Sequence, residues 1–269
     1  MRALFILFML GVLFSPIAAT TETKKTVVLT EDNHMIVRGQ VTSESVSKWI
    51  LELNKIKENN IMIYISSPGG SVLAGMTFVE QIKQLEASGK HIECVADIAA
   101  SMAFIIFQAC PHRYTTSSSV LMQHQMSLRL GGSIENVKTY LDFLDNIESD
   151  LNEMQAKRLD MDVEAFNQKI AHDWWLSGSN ILKYNVADKM IHVKCHSSLL
   201  QKTKKEEIDT FFGKIILTFS GCPLSRDPLK QDFRGINDIE MIEEIRNLYL
   251  PSYALKNLMN RPSPSYVEY

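Results

Sequence analysis

The residues best suited to chemistry in this chain are a serine, a histidine and an aspartate, each at the edge of a regular element. Ser101 stands in Ala99-Ala100-Ser101-Met102-Ala103, between a strand pattern over 91–96 and an apolar helix pattern over about 101–109. At such a junction a serine occupies the first helical turn, where unpaired backbone N–H groups and the positive end of the helix dipole converge. A serine oxygen attacking a carbonyl there has half of an oxyanion site beside it. The plainer role is a cap on a buried helix. His124 follows a short strand pattern at 120–122, and its plain alternative is a satisfied core histidine. Asp173 precedes Trp174-Trp175-Leu176-Ser177 and could cap a helix opening there. His172 beside it is a rival base by composition. Ser67-Pro68-Gly69-Gly70 reads as a sharp turn, because proline fixes φ and glycines take conformations other residues resist.

The elements that must position these residues alternate between strand and helix. Strand patterns at 26–29 and 34–37 flank the turn Glu31-Asp32-Asn33. Thr42-Ser43-Glu44-Ser45 signals a helix start, and Val46, Trp49, Ile50, Leu53 and Ile56 follow at helical spacing. A buried strand at 61–65 leads into the turn, and Val72, Met76, Val79, Ile82 and Leu85 mark the next helix. Gly131-Gly132-Ser133 breaks into a long helix from 134 to about 159, followed by short helices from Asp162 and from 173 to about 185. The order argues a layered α/β fold with largely parallel strands. From 194 the pattern loosens: 201–209 is polar, 215–219 suits a strand, and 239–250 suits a helix stopped by Pro251. The last ten residues, with Pro262 and Pro264, read as frayed.

The stretches taken together resemble the Clp-type serine peptidases (proteolytic subunit). They are Arg38-Gly39-Gln40-Val41, Ile63-Tyr64-Ile65-Ser66-Ser67-Pro68-Gly69-Gly70, Ala74-Gly75-Met76 and Ala99-Ala100-Ser101-Met102. Met122-Gln123-His124-Gln125, Leu130-Gly131-Gly132 and Asp173-Trp174-Trp175-Leu176-Ser177 continue the match, which covers roughly 26–193. The resemblance implies a ClpP/crotonase-like α/β superhelix of ββα units with a protruding helical handle. It implies Ser101 as nucleophile, His124 as general base and Asp173 as orienter of the imidazole, with Gly69 and Met102 N–H groups as the oxyanion hole. A hydroxyl is a poor nucleophile until a base takes its proton, and that base needs a third group to fix its tautomer. The family usually has glycine four residues before the serine and two after it; here Asp97 and Ala103 stand there. Asp97 is therefore expected to alter substrate entry or local pKa. The Gly-rich segment after Gly132, part of the family's ring-joining handle, is shortened. A Ser–Lys dyad with Lys138, as in signal-peptide-peptidase-like enzymes of this fold, is the alternative enzyme, and an inactive peptide-binding scaffold the alternative outside enzymes.

Composition sets the remaining bounds. The 269 residues are 45% hydrophobic and 22% charged with net charge −3, an ordinary globular balance with no basic patch for nucleic acid. Arg2, an apolar run over 3–14 and the small residues Ala18-Ala19-Thr20 form a secretory signal pattern, with a membrane anchor at 3–19 as the alternative. The expected organisation is a signal or anchor at 1–20, a peptidase domain at 21–194 and an extension at 195–269. Export, to a periplasmic or extracellular setting, permits disulfides: Cys195 and Cys222 can loop their segment, whereas Cys94 and Cys110 are expected to lie too far apart. No Cys/His set has zinc spacing, so no metal and no cofactor are expected. Apolar faces at Trp49, Ile50, Leu53 and at Leu141, Leu144, Ile147 call for a homo-oligomer, a ring on the resemblance. The expected substrates are peptides or unfolded proteins. An ATP-driven unfoldase of the AAA+ class is not expected as partner, since the chain has no phosphate loop and export removes it from ATP.

Overall fold

The computed structural model describes residues 25–127, 131–211 and 213–260. The leader and anchor readings at 1–20 and the frayed tail lie outside these, the tail all but Asn260. In chain order the elements are β1 (Thr26–Leu29), β2 (His34–Arg38), α1 (Ser43–Lys55), β3 (Asn60–Ser67), α2 (Val72–Ala87), β4 (His91–Ala100) and α3 (Met102–Ala109). Then come β5 (His112–Gln123), α4 (Ile134–Arg158), α5 (Val163–Ile170), β6 (Trp174–Ser177), α6 (Ser179–Lys183), β7 (Lys189–Met190), β8 (His192–Cys195) and α7 (Ser197–Leu200). The final part holds β9 (Thr203–Thr210), β10 (Gly213–Ser220), β11 (Lys230–Arg234), α8 (Ile239–Tyr249) and α9 (Pro251–Met259).

The principal sheet runs β2-β3-β4-β5-β6, parallel as far as β5 and antiparallel at β6, with β7 alongside β5. β3 is buried from Ile61 to Ser67, as a central parallel strand covered on both faces must be. One face meets α1, α2 and α3, where Trp49 packs edge-on against Phe78. The other carries Met62, Tyr64, Val95 and Tyr114 under Leu29 and Ile191. Caps set the helix starts: Thr42 and Ser45 form a reciprocal capping box on α1, and Ser71 Oγ accepts from Ala74 N–H on α2. Among the described residues, no helix is long and apolar enough to cross a membrane.

Several expectations are corrected. Residues 174–177 form a strand rather than opening a helix; paired aromatics suit a pleated surface, and β6 finds a free edge on β5. The turn at 31–33 and the strands on either side of it form as expected, and β1 finds its partner in β8, in parallel. Cys94 and Cys110 are bridged, with Cα atoms 6.1 Å apart, because α3 folds back along β4 and returns its last turn to the level of Cys94. Cys195 and Cys222 are bridged as well, at 5.7 Å. The apolar face of α1 needs no partner: Trp49 and Leu53 are buried within the chain.

The C-terminal part is a second layer with its own core. β11-β10-β9 is an antiparallel sheet whose Ile215, Leu217 and Phe219 pack against Ile236, Ile245 and Leu250. α8 ends at Tyr249, just ahead of Pro251 as expected, and Pro251 opens a further helix, α9, in whose first turn its missing N–H costs nothing. Asp97 explains how this layer is held. Its carboxylate is 3% exposed and accepts Nε (2.7 Å) and Nη2 (2.6 Å) of Arg226 in a bidentate pair. The pair lies where the β4 register shifts between Ala96 and Ile98, so Asp97 is an anchor for the extension. Burial, then Asp97, pushes the Tyr64 hydroxyl pKa upward, and the Asp97 hydrogen bonds hold the Arg226 pKa above its ordinary value. Arg38 at the end of β2 stacks on Phe219 at 4.2 Å, adding a second tie.

Candidate active site

Ser101 ends β4 and precedes α3 with φ 54° and ψ −125°, a left-handed conformation unusual for a side-chain-bearing residue. No side-chain cap bond is made from it to α3. The plain reading of a capping serine therefore finds no support in its geometry. Its N–H donates to the Met122 carbonyl at 2.9 Å, which ties the junction to β5. Met102 is wholly buried and its side chain fills a notch at Gly75, where an added Cβ would come 2.9 Å from Sδ. That notch sets α3 closely against α2 and fixes the start of the helix.

The turn at 67–70 abuts the same junction. Gly69 has φ +89°, and a Cβ there would meet Ser101 Cβ at 2.7 Å and Met102 N at 2.8 Å. Only glycine fits that approach. The Gly69 N–H donates to Ser67 Oγ at 3.1 Å. The expected oxyanion donor is thus engaged within its own turn in this conformation. The turn is strapped from outside: Val41 N–H donates to the Gly69 carbonyl and Ser71 N–H to the Val41 carbonyl, both at 2.8 Å.

His124 follows β5 directly and is held on both sides. Gln123 is buried and paired with Gln155 of α4 (Nε2 to Oε1, 2.7 Å), while the Gln125 N–H donates to the Ile170 carbonyl at 3.0 Å. Asp173 is exposed and lies one residue before β6. The antiparallel register ends at Gln123↔Trp174, so the next pair in line is His124 and Asp173. Trp174 anchors that end of the strand among Phe104, Phe166 and Tyr184. Local pattern names Gln123 and Trp174 but not what they meet: the Gln155 partner and the Phe104, Phe166 and Tyr184 cluster come from distant parts of the chain.

Ser101 and His124 line one cavity of about 410 Å³ together with Pro68, Gly69 and Gly70. Asp173 and Met102 do not line it. Lys138 is also outside it, exposed on the second turn of α4 with Nζ 3.1 Å from Glu135. Among the described residues, no group of three or more His, Cys, Asp or Glu is placed to hold a metal ion.

The family profile described as Clp protease matches residues 19–194. The chain belongs to the Clp protease family. The ATP-dependent Clp protease proteolytic subunit 2 of Nocardia farcinica is 30% identical over 134 residues, covering 49% of this chain and 65% of that protein. Subunit 2 of Bifidobacterium longum is 25% identical over 136 residues, covering 50% and 65%, and subunit 3 of Rhodococcus jostii is 24% identical over 170, covering 62% and 81%. The first two relatives are matched over slightly less than two thirds of their own length. In this Clp-family chain the profile stops at 194, and Arg226, β9–β11, α8 and α9 all lie beyond it.

Proposed function

We propose that the protein is an exported serine endopeptidase that cleaves peptides through an acyl-enzyme, with Ser101 as nucleophile, His124 as general base and Asp173 as orienter. The observation that carries the reading is the strained Ser101 at the strand–helix junction, facing the cavity it shares with His124. In the first step Ser101 Oγ attacks the scissile carbonyl carbon while its proton passes to His124. The C–N bond then breaks, the proton goes to the leaving amine, and the acyl group stays on Oγ. Water, deprotonated by His124, hydrolyses the ester in the reverse sense. Asp173, next in register to His124, stabilises the imidazolium. The Met102 N–H, which as a first-turn donor has no intrahelical acceptor, is assigned to the developing oxyanion. Gly69 N–H joins it by exchanging Ser67 Oγ for the oxyanion.

Export is supported by the leader pattern and by two disulfides, one of them inside the domain core, which an oxidising compartment maintains. There the chain works without an ATP-driven unfoldase, although its relatives carry "ATP-dependent" in their names. Folded proteins are then spared, and short or unfolded peptides are the substrates. A homo-oligomeric ring is supported by the apolar residues Ile134, Tyr140, Leu141 and Phe143 of α4, which a monomer leaves exposed. Nothing at Lys138 favours the Ser–Lys alternative: its Nζ is exposed beside Glu135 and stands outside the cavity that holds Ser101. The test is a fluorophosphonate probe on the mature protein, with the labelled residue mapped by mass spectrometry. Labelling at Ser101 that is lost in Ser101→Ala and nearly lost in His124→Ala is expected. Labelling that survives His124→Ala and fails in Lys138→Ala overturns the triad.

A further inference from the structure

We propose that the α8–α9 hairpin forms the outer wall of the cleft, a specificity-determining element that confines the site to slender, uncharged peptide segments. The inference rests on the hydrolytic reading of Ser101 and adds what can reach it. Asn247, Ala254, Asn257 and Leu258 line the same cavity as Ser101, His124 and the Gly69 turn. All four belong to the part of the chain beyond the family match.

The wall is fixed in place. Gln40 N–H donates to the Leu248 carbonyl at 2.7 Å, and Gly39 (φ +76°) has no room for a Cβ, which would come 2.6 Å from that oxygen. Gln40 is followed by Val41, whose backbone straps the turn at 67–70, so the wall and the turn hang on one segment. The Arg226–Asp97 pair and the Cys195–Cys222 bridge hold the rest of the layer to the body.

The cavity's chemistry defines what it takes. Its volume, about 410 Å³, lies in the lower range for small-ligand sites, room for a few residues and not for a folded chain. Apart from His124 none of the described lining residues is ionisable at neutral pH, so the described lining offers a charged side chain no counter-ion against the cost of its desolvation. Asn257 Nδ2 donates to Asn247 Oδ1 at 2.6 Å, and this amide pair offers the donor and acceptor types that a peptide group matches. Ala254, 6% exposed, is the smallest side chain of the wall, and enlarging it narrows the cleft.

The test compares wild type, Ala254→Phe and Leu258→Ala on a panel of quenched peptides that vary in side-chain size and charge, alongside the rate of Ser101 labelling by a small fluorophosphonate. In Ala254→Phe, kcat/KM for peptides is expected to fall about tenfold or more relative to the labelling rate. In Leu258→Ala the preference shifts toward bulkier residues, which keeps the idea testable if Ala254→Phe does not fold. A binding arm uses Ser101→Ala and fluorescence anisotropy of a labelled uncharged peptide, with Ala254→Phe or Leu258→Ala added. Peptide affinity that changes with the wall variants sustains the wall even where wild type labels nowhere, an outcome that sinks the hydrolytic reading alone. Identical peptide profiles and affinities in all three wall backgrounds overturn it.

Discussion

Gly69→Ala probes the close approach on which the site depends, and Gly89→Ala is its internal control. The two glycines share nearly the same backbone, φ +89° and φ +93°, but a Cβ at Gly89 meets nothing within 4 Å. Gly89→Ala therefore measures left-handed strain alone, about 1 kcal/mol. At Gly69 the new Cβ would lie 2.7 Å from Ser101 Cβ and 2.8 Å from Met102 N, well inside van der Waals contact. Both neighbours sit on a junction that cannot rotate away, so overpacking adds about 2 kcal/mol. Thermal unfolding is expected to drop by about 2–4 °C for Gly89→Ala and by about 6–12 °C for Gly69→Ala. The relief must come from moving Ser101 or the turn, and a displacement near 1 Å costs about a hundredfold in rate. Fluorophosphonate labelling should then slow by that order in Gly69→Ala and stay unchanged in Gly89→Ala. Equal melting shifts, or labelling of Gly69→Ala within about twofold of wild type, would refute the packing argument.

Arg226→Ala strands the buried Asp97 carboxylate and should cost about 2–3 kcal/mol in chemical denaturation, less than a fully buried pair because the arginine is 31% exposed. A double-mutant cycle with Asp97→Asn checks it, since the combined loss should fall short of the sum. Replacing Cys195 and Cys222 by serine, which opens a loop of 27 residues, should cost about 3.5 kcal/mol. Thiol titration of the native protein should detect no free cysteine, since all four are bridged. Burial works to raise the Asp188 pKa, but hydrogen bonds and charge from Arg113 outweigh it and hold the carboxyl below its ordinary value. Its stabilising share is present above the unfolded carboxylate pKa of about 3.9 and is lost as pH falls through the lower folded value. Acid unfolding of Asp188→Asn should accordingly be less steep below about pH 4 than that of wild type.

What the sequence made legible was local. Ser101 at its junction, the turn at 67–70 and the strand leading to His124 are written in contiguous residues, and the structure sets them around one cavity. The missed features depend on partners distant in the chain. The first half of β5 is rich in Thr and Ser, and reads as a strand only once β4 is known to pair with it. β9 is mostly charged because it is an outer strand of its sheet, with exposed residues dominating its length. The Cys94–Cys110 bridge requires the return path of α3, and the role of Asp97 requires Arg226 from a segment that no periodicity relates to it. Asp173 was expected ahead of a helix, and a strand in its place is what brings it into register with His124.

The strap at Gln40 also has a consequence in time. Its partner Leu248 is made about 120 residues after His124, roughly 6–24 s of synthesis at ordinary elongation rates. Through that interval the nascent body carries Ser101, the turn at 67–70 and His124 with nothing across the cleft. Gln40 and Val41 wait in the emerged chain with one edge committed to the turn and the other open. The chain thus exists first as an unwalled form and becomes the walled one only when α8 and α9 arrive, so the order of translation is also the order in which access to the serine narrows.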